Sequence, residues 1–216
     1  IPHSYSLIDK NKNIKLFCNL NKISPSLKKK LNKIQFIKTE SLDKILSKIK
    51  EKKFIIDKGT CSFYFENLIL KNNYILNLSD PIYFLKAVKN KKEIKNVKMA
   101  HIYDGAALTK FLFWLKKNFH KKKITEISAS KKLYSFRKNN KKFKFSSFPT
   151  ISGSGPNGAI IHYKPDKKTN RKLKKGDIYL VDSGGQYEFG TTDVTRTISL
   201  DNSNSRIKNI FTRVLK

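Results

Sequence analysis

The sequence predicts an α/β domain followed by an α+β region, and three observations carry that reading. Up to about residue 85, short apolar runs alternate with segments of helical spacing. A long amphipathic stretch then runs from about Glu93 to Phe119, and from Phe148 onward glycines and prolines punctuate β-branched runs. With 216 residues, 38% of them hydrophobic, the chain has room for one large or two modest domains with cores of their own.

The elements follow in order. Leu16-Phe17-Cys18 is strand-like, after an opening segment of strand or turn character. Ser24-Pro25 supplies an N-cap and a proline at the first helical position for a helix through about Leu31. Ile34 to Ile37 is a strand. From Ser41, residues Leu42, Ile45, Leu46 and Ile49 recur at helical spacing, with Asp43 at the positive end of the helix dipole. Phe54 to Ile56 is a third strand, followed by a helix from Thr60 to Lys71 and a strand from Tyr74 to Leu76. Asp80-Pro81 reads as the boundary, because proline restricts the residue before it. Beyond it, the stripe Ile94, Val97, His101, Gly105, Leu108, Leu112, Leu115 and Phe119 places His101 on the apolar face of the long helix. Thr125 caps a second helix through Arg137. The Phe148 to Tyr163 segment ends in a β-branched run leading to His162, and Lys164 to Lys175 is a polar loop. Asp177 to Asp182 and Val194 to Leu200 are strands.

Composition excludes several classes. Cys18 and Cys61 have no CxxC or histidine-rich neighbourhood, so they make neither a disulfide framework nor a zinc knuckle. No apolar run reaches the roughly 18 residues a membrane helix needs. The net charge of +31 would point to nucleic acid, yet only five of the 47 basic residues are arginine. Guanine and phosphate recognition favours the planar arginine fork. We therefore read the lysine excess as solvated surface and expect no specific nucleic-acid partner. Unpaired thiols and the lack of a visible export signal make the cytoplasm the expected location. The chain opens on Ile1 rather than Met, so we expect an internal piece of a longer polypeptide.

Asp182 closes an apolar strand, where an unpaired carboxylate is costly and calls for a cation. Asp193 follows beside β-branched residues, with Gly184, Gly185 and Gly190 between. Register decides whether the two cooperate. A hairpin turning at Gly184-Gly185 would leave them roughly 20 Å apart along the ladder. A turn centred on Tyr187-Glu188 would set Asp182 directly opposite Asp193, with Cβ atoms about 5 Å apart. Carboxylates that close repel unless protonated or bridged, and hard divalent ions are the natural bridge.

Five segments carry a family resemblance: His101-Ile-Tyr-Asp-Gly-Ala-Ala-Leu, Ile124-Thr-Glu-Ile-Ser-Ala, Ser147-Phe-Pro-Thr-Ile-Ser, Gly158-Ala-Ile-Ile-His-Tyr, and the long block from Tyr179-Leu-Val-Asp-Ser-Gly-Gly through Thr197. Together they resemble the Xaa-Pro aminopeptidases of the pita-bread metallopeptidases. The resemblance implies a creatinase/prolidase N-terminal-like, RNase H-like α/β domain over residues 1–85, and the first half of an α+β pita-bread domain over 86–216. It further implies that Asp182 and Asp193 are ligands of two divalent ions, usually manganese, and that His162 contacts the substrate near the scissile bond. Such ions activate a water and polarise the carbonyl between a first residue and a following proline. The implied partners are peptides with proline second, with no membrane, and the intact enzyme is expected to be a homodimer. The family's remaining ligands, one histidine and two glutamates, are expected after Lys216, so the fragment alone should be inactive. Competing readings are a non-catalytic pita-bread binding module, the dipeptidase prolidase or creatinase, and a lysine-rich nucleic-acid binder.

Overall fold

Strand and helix alternation in the first part of the chain becomes two small sheets with helices packed on them. The computed structural model describes residues 3–216, which divide into two units, one ending at Ala87 and the other running from Val88 to Lys216. In the first unit, β1 (Ser4–Ile8) pairs antiparallel with β2 (Ile14–Cys18), and β2 pairs parallel with β3 (Ile34–Lys38). Helix α1 (Pro25–Lys30) lies between β2 and β3 in sequence and starts at Ser24, whose hydroxyl accepts from the Leu27 N–H. Helix α2 (Leu42–Lys48) precedes β4 (Lys53–Ile56). Helix α3 (Phe63–Leu70) leads to β5 (Tyr74–Asn77), which pairs parallel with β4. The alternating and helical apolar positions converge on Phe17, Leu42 and Leu46, with Ile37, Ile45 and Phe65 packed around them. Cys18 is buried and Cys61 half-buried, both free thiols. The Asp80-Pro81 step opens a further helix, α4 (Pro81–Ala87), because the proline ring presets the first helical turn.

The second unit begins with α5 (Lys91–Asn118), closed at its start by a capping box between Asn90 and Glu93. Its buried face is Ala100, Asp104, Ala107, Leu108, Phe111 and Leu115. Of the expected stripe, Leu108 and Leu115 belong to this face and Leu112 and Phe119 pack half-buried against the same core. His101 is exposed instead, its Nδ1 2.9 Å from the Val97 carbonyl oxygen. The difference has a cause: Asp104, a carboxylate that pattern reading assigns to the wet side, is buried against Arg137 of α6 (Glu126–Lys138) and rotates the face accordingly.

Strands β6 (Phe143–Ser146) and β7 (Ile151–Ser154) follow, then β8 (Ile178–Ser183), β9 (Gly185–Tyr187), β10 (Gly190–Thr191) and β11 (Val194–Ser199). A last helix, α7 (Ser205–Leu215), starts at Asn204. β8 with β9, and β10 with β11, form one long antiparallel ribbon turning at Glu188-Phe189; β7 flanks β8 and β6 flanks β9. Along β8, Tyr179 and Val181 point into the core beside Leu108, Phe111, Leu115 and Leu133 of the two helices. The alternate positions, Leu180 and Asp182, therefore lie on the other face of the sheet.

Candidate functional site

That other face carries a cleft of about 430 Å³ lined by Phe148, Pro149, Ile151, His162, Asp182 and Asp193, among others. The three site residues singled out in the sequence are thus brought around one cavity. Neither register considered for the ribbon is the observed one. Asp182 faces Thr195, and Val194 faces Ser183, while the Thr192 N–H donates to the Gly185 carbonyl at 2.9 Å. These pairings bracket Asp193 against Gly184, so it is the diagonal rather than the direct neighbour of Asp182. Diagonal neighbours on one face lie about 7–8 Å apart by ladder geometry. The slip arises because the turn sits on Glu188-Phe189, one residue later than Tyr187-Glu188, and each residue of turn displacement moves the pairing by two.

The ladder is interrupted between the two aspartates, where β8 ends at Ser183 and β9 begins at Gly185, and the chain passes closest to its neighbours at Gly184. A Cβ there would lie 1.9 Å from the Thr192 carbonyl oxygen and 2.2 Å from the Ser147 hydroxyl, so no other residue fits. Ser147 ties both sides of the interruption together: its hydroxyl donates to the Thr192 carbonyl at 2.9 Å, and its N–H donates to the Gly184 carbonyl at 3.1 Å. Thr192, itself buried, accepts the Gly185 N–H at its hydroxyl at 2.9 Å. Next to Asp182, the Ser183 hydroxyl accepts from Arg137, whose guanidinium also makes a two-pronged pair with Asp104 at 2.7 and 2.9 Å. The Tyr187 hydroxyl donates to Asp104 at 2.9 Å. Burial first, and then the Asp104 carboxylate, push the Tyr187 phenol well above its ordinary value.

Asp182 is only half-buried as a residue, but its Oδ1 is buried and has no hydrogen-bond partner. Carboxylate oxygens are not left in that state without cost. The cation that sequence reasoning called for is not a side chain: no ion pair among the described residues includes Asp182 or Asp193. Two oxygen donors on one face suit a hard divalent ion. Among the described residues no third histidine, cysteine or carboxylate joins them closely enough to complete a metal shell.

His162 sits on a turn, not at the end of a strand as its β-branched approach implied. Strand β7 stops at Ser154 because Gly155 adopts φ +58 and Pro156 then starts a 3-10 turn through Ala159. His162 itself has φ +53. Tyr163, its neighbour, is buried, and its hydroxyl donates to Glu126 at 2.8 Å. Burial and, after it, the Glu126 carboxylate raise the Tyr163 phenol above its ordinary value.

Sequence reasoning missed Asp104, Arg137, Glu126, Asn157 and Tyr163 as parts of this site. One signal was available: in a chain whose cations are overwhelmingly lysine, Arg137, one of only five arginines, marks a place where the two-pronged fork is needed. Nothing comparable marked Glu126, which reads as an ordinary first-turn acid.

The description Metallopeptidase family M24 matches residues 95–216, and Creatinase/Prolidase N-terminal domain matches residues 1–93. The chain is 47% identical to Xaa-Pro aminopeptidase ApepP of Drosophila melanogaster, over 73% of this chain and 26% of that protein. It is 34% identical to Xaa-Pro aminopeptidase 2 of Mus musculus, over 99% of this chain and 33% of the mouse protein. Among solved structures it is similar to X-prolyl aminopeptidase from Caenorhabditis elegans, described as a cytosolic enzyme with a di-nuclear active site. The TM-score is 0.82 at 27% identity, covering 95% of this chain and 35% of that one. The chain spans about a quarter to a third of the length of the two curated relatives.

Proposed function

From the premise that this chain belongs to metallopeptidase family M24, we propose that it is part of an aminopeptidase that removes the first residue of peptides with proline second. The observation that carries the reading is the cleft that gathers Asp182, Asp193 and His162, with a buried carboxylate oxygen of Asp182 lacking any donor. In this reading Asp182 and Asp193 hold two divalent ions, manganese being the one proposed, with further donors from outside these 216 residues. When bound, the ions supply Lewis acidity toward the scissile carbonyl and an activated water.

The chain's own residues do the rest. Phe148, Pro149 and Ile151 form an apolar wall that excludes bulk water and offers a surface to a proline ring. His162, exposed at the rim, offers a ring nitrogen to the peptide near the cleaved bond. Arg137 and Ser147 keep the ribbon in the register that sets both carboxylates on the cleft face. A cytosolic location, as described for the nematode enzyme, and a homodimeric assembly belong to the same proposal. No helix among the described residues is long and apolar enough to cross a membrane.

The test is hydrolysis by the full-length protein, after chelation and manganese addition, of a tripeptide Xaa-Pro-Xaa and of the dipeptide Xaa-Pro. Metal-dependent cleavage of the tripeptide, abolished in Asp182→Ala and Asp193→Ala, is expected. Cleavage of the dipeptide alone would make it a prolidase, and full activity in both variants would remove the metal reading.

A further inference from the structure

We propose that Glu126 is a positioning residue for His162: its carboxylate clamps the loop that presents the histidine to the cleft. The proposal rests on the reading of His162 as a substrate contact given above.

Glu126 is the first residue of α6 and is fully buried. A buried carboxylate needs its lone pairs filled, and here every partner is neutral and comes from one segment. The Ser154 N–H and the Asn157 amide donate to Oε1 at 2.8 and 3.1 Å; the Tyr163 hydroxyl and the Arg171 N–H donate to Oε2 at 2.8 and 2.9 Å. No ion pair among the described residues includes Glu126, in a chain of net charge +31. The helix dipole at α6 favours the negative charge, and the charge is used to order residues 154–171. Asn157 closes the cluster by also donating to the Tyr163 hydroxyl at 2.7 Å.

His162 lies inside that loop, beside the anchored Tyr163, in a left-handed backbone conformation that is unfavourable for a residue with a Cβ. Its side chain is exposed, so packing does not impose that conformation. The Tyr163 N–H donates to the Ile160 carbonyl at 3.2 Å and closes a turn around His162, and the clamp on Tyr163 holds that turn in place. A glutamine at 126 would keep the shape but offer one acceptor and turn an NH2 group toward two of the donors, releasing half of the loop.

The experiment is a double-mutant cycle in the full-length enzyme with a tripeptide Xaa-Pro-Xaa substrate, using Glu126→Gln, Tyr163→Phe and His162→Ala. Tyr163→Phe keeps the ring in its pocket and so covers the case in which Glu126→Gln does not fold. Each of Glu126→Gln and Tyr163→Phe should lower kcat/KM about 10- to 100-fold, with manganese content unchanged. In the His162→Ala background the same changes should cost little more, because the residue they position is gone. Losses that multiply with that of His162→Ala, or unimpaired Glu126→Gln and Tyr163→Phe enzymes, would overturn the proposal. A fully active His162→Ala enzyme would instead remove the role of His162 itself, and the clamp would then have nothing catalytic to position.

Discussion

Asp182 and its neighbour Ser183 show how adjacent residues on a strand serve opposite faces. Ser183 turns inward and accepts from Arg137 at 3.1 Å, while Asp182 turns to the cleft with Oδ1 buried and unpartnered. An unsatisfied buried oxygen costs on the order of 1–3 kcal/mol. With a chelator present, Asp182→Ala should therefore unfold at higher urea, gaining about 1 kcal/mol rather than losing it. Adding manganese should stabilise the parent protein and leave the variant unchanged, because only a state that binds the ion gains from it. A destabilised Asp182→Ala variant in chelator would mean that the carboxylate has a partner of its own.

At the level of elements, the ribbon of β8 to β11 is held from two sides. Arg137 of α6 and Asp104 of α5 tie the helices to each other and, through Ser183 and Tyr187, to the ribbon. The pair is fully buried, so breaking it strands a charge. Arg137→Met should cost about 3–5 kcal/mol in denaturant unfolding, and the double variant Asp104→Leu with Arg137→Met should recover part of that loss. On the other side, Gly184 lets the two strands approach closely where Ser147 bonds to both. Gly184→Ala puts a Cβ 1.9 Å from a backbone oxygen that cannot swing away. The expected loss is about 3 kcal/mol or more, and in the proposed enzyme manganese affinity should fall with it because Gly184 lies between the two aspartates. An Ala variant of parental stability would show that the close approach at Gly184 is not required.

Across the whole second unit, three phenols share one titration behaviour. Tyr179, Tyr187 and Tyr163 all have pKa values raised above 10.0, in each case chiefly by burial. In the unfolded chain these groups lose their protons near pH 10, whereas the folded state keeps them. Above that pH the folded state binds more protons, so stability falls as pH rises. Their contribution is fully present below about pH 10 and is lost above it. Thermal melts along an alkaline series should show the decline, with phenolate absorbance appearing in step with unfolding. Tyr179→Phe should flatten the decline. A melting temperature independent of pH above 10 would contradict it.

Local patterns in the sequence by itself carried most of the elements and their order, because apolar periodicity and caps such as Ser24, Thr125 and the Asp43 first turn are local properties, whereas α4, β6 and α7 were not anticipated. They also singled out Asp182 and Asp193, since carboxylates in apolar or glycine-rich surroundings stand out without any knowledge of contacts, while His162 came from the resemblance of its segment to the Xaa-Pro aminopeptidases. The tertiary structure alone decided the rest. The buried face of α5 turned on a partner for Asp104 that lies 33 residues away, and the ribbon register turned on which two residues make the turn. The role of Glu126 depended on four donors distant in sequence closing on one carboxylate. Each of these is a pairing between segments, whose free energy depends on desolvation and distance that no local pattern encodes.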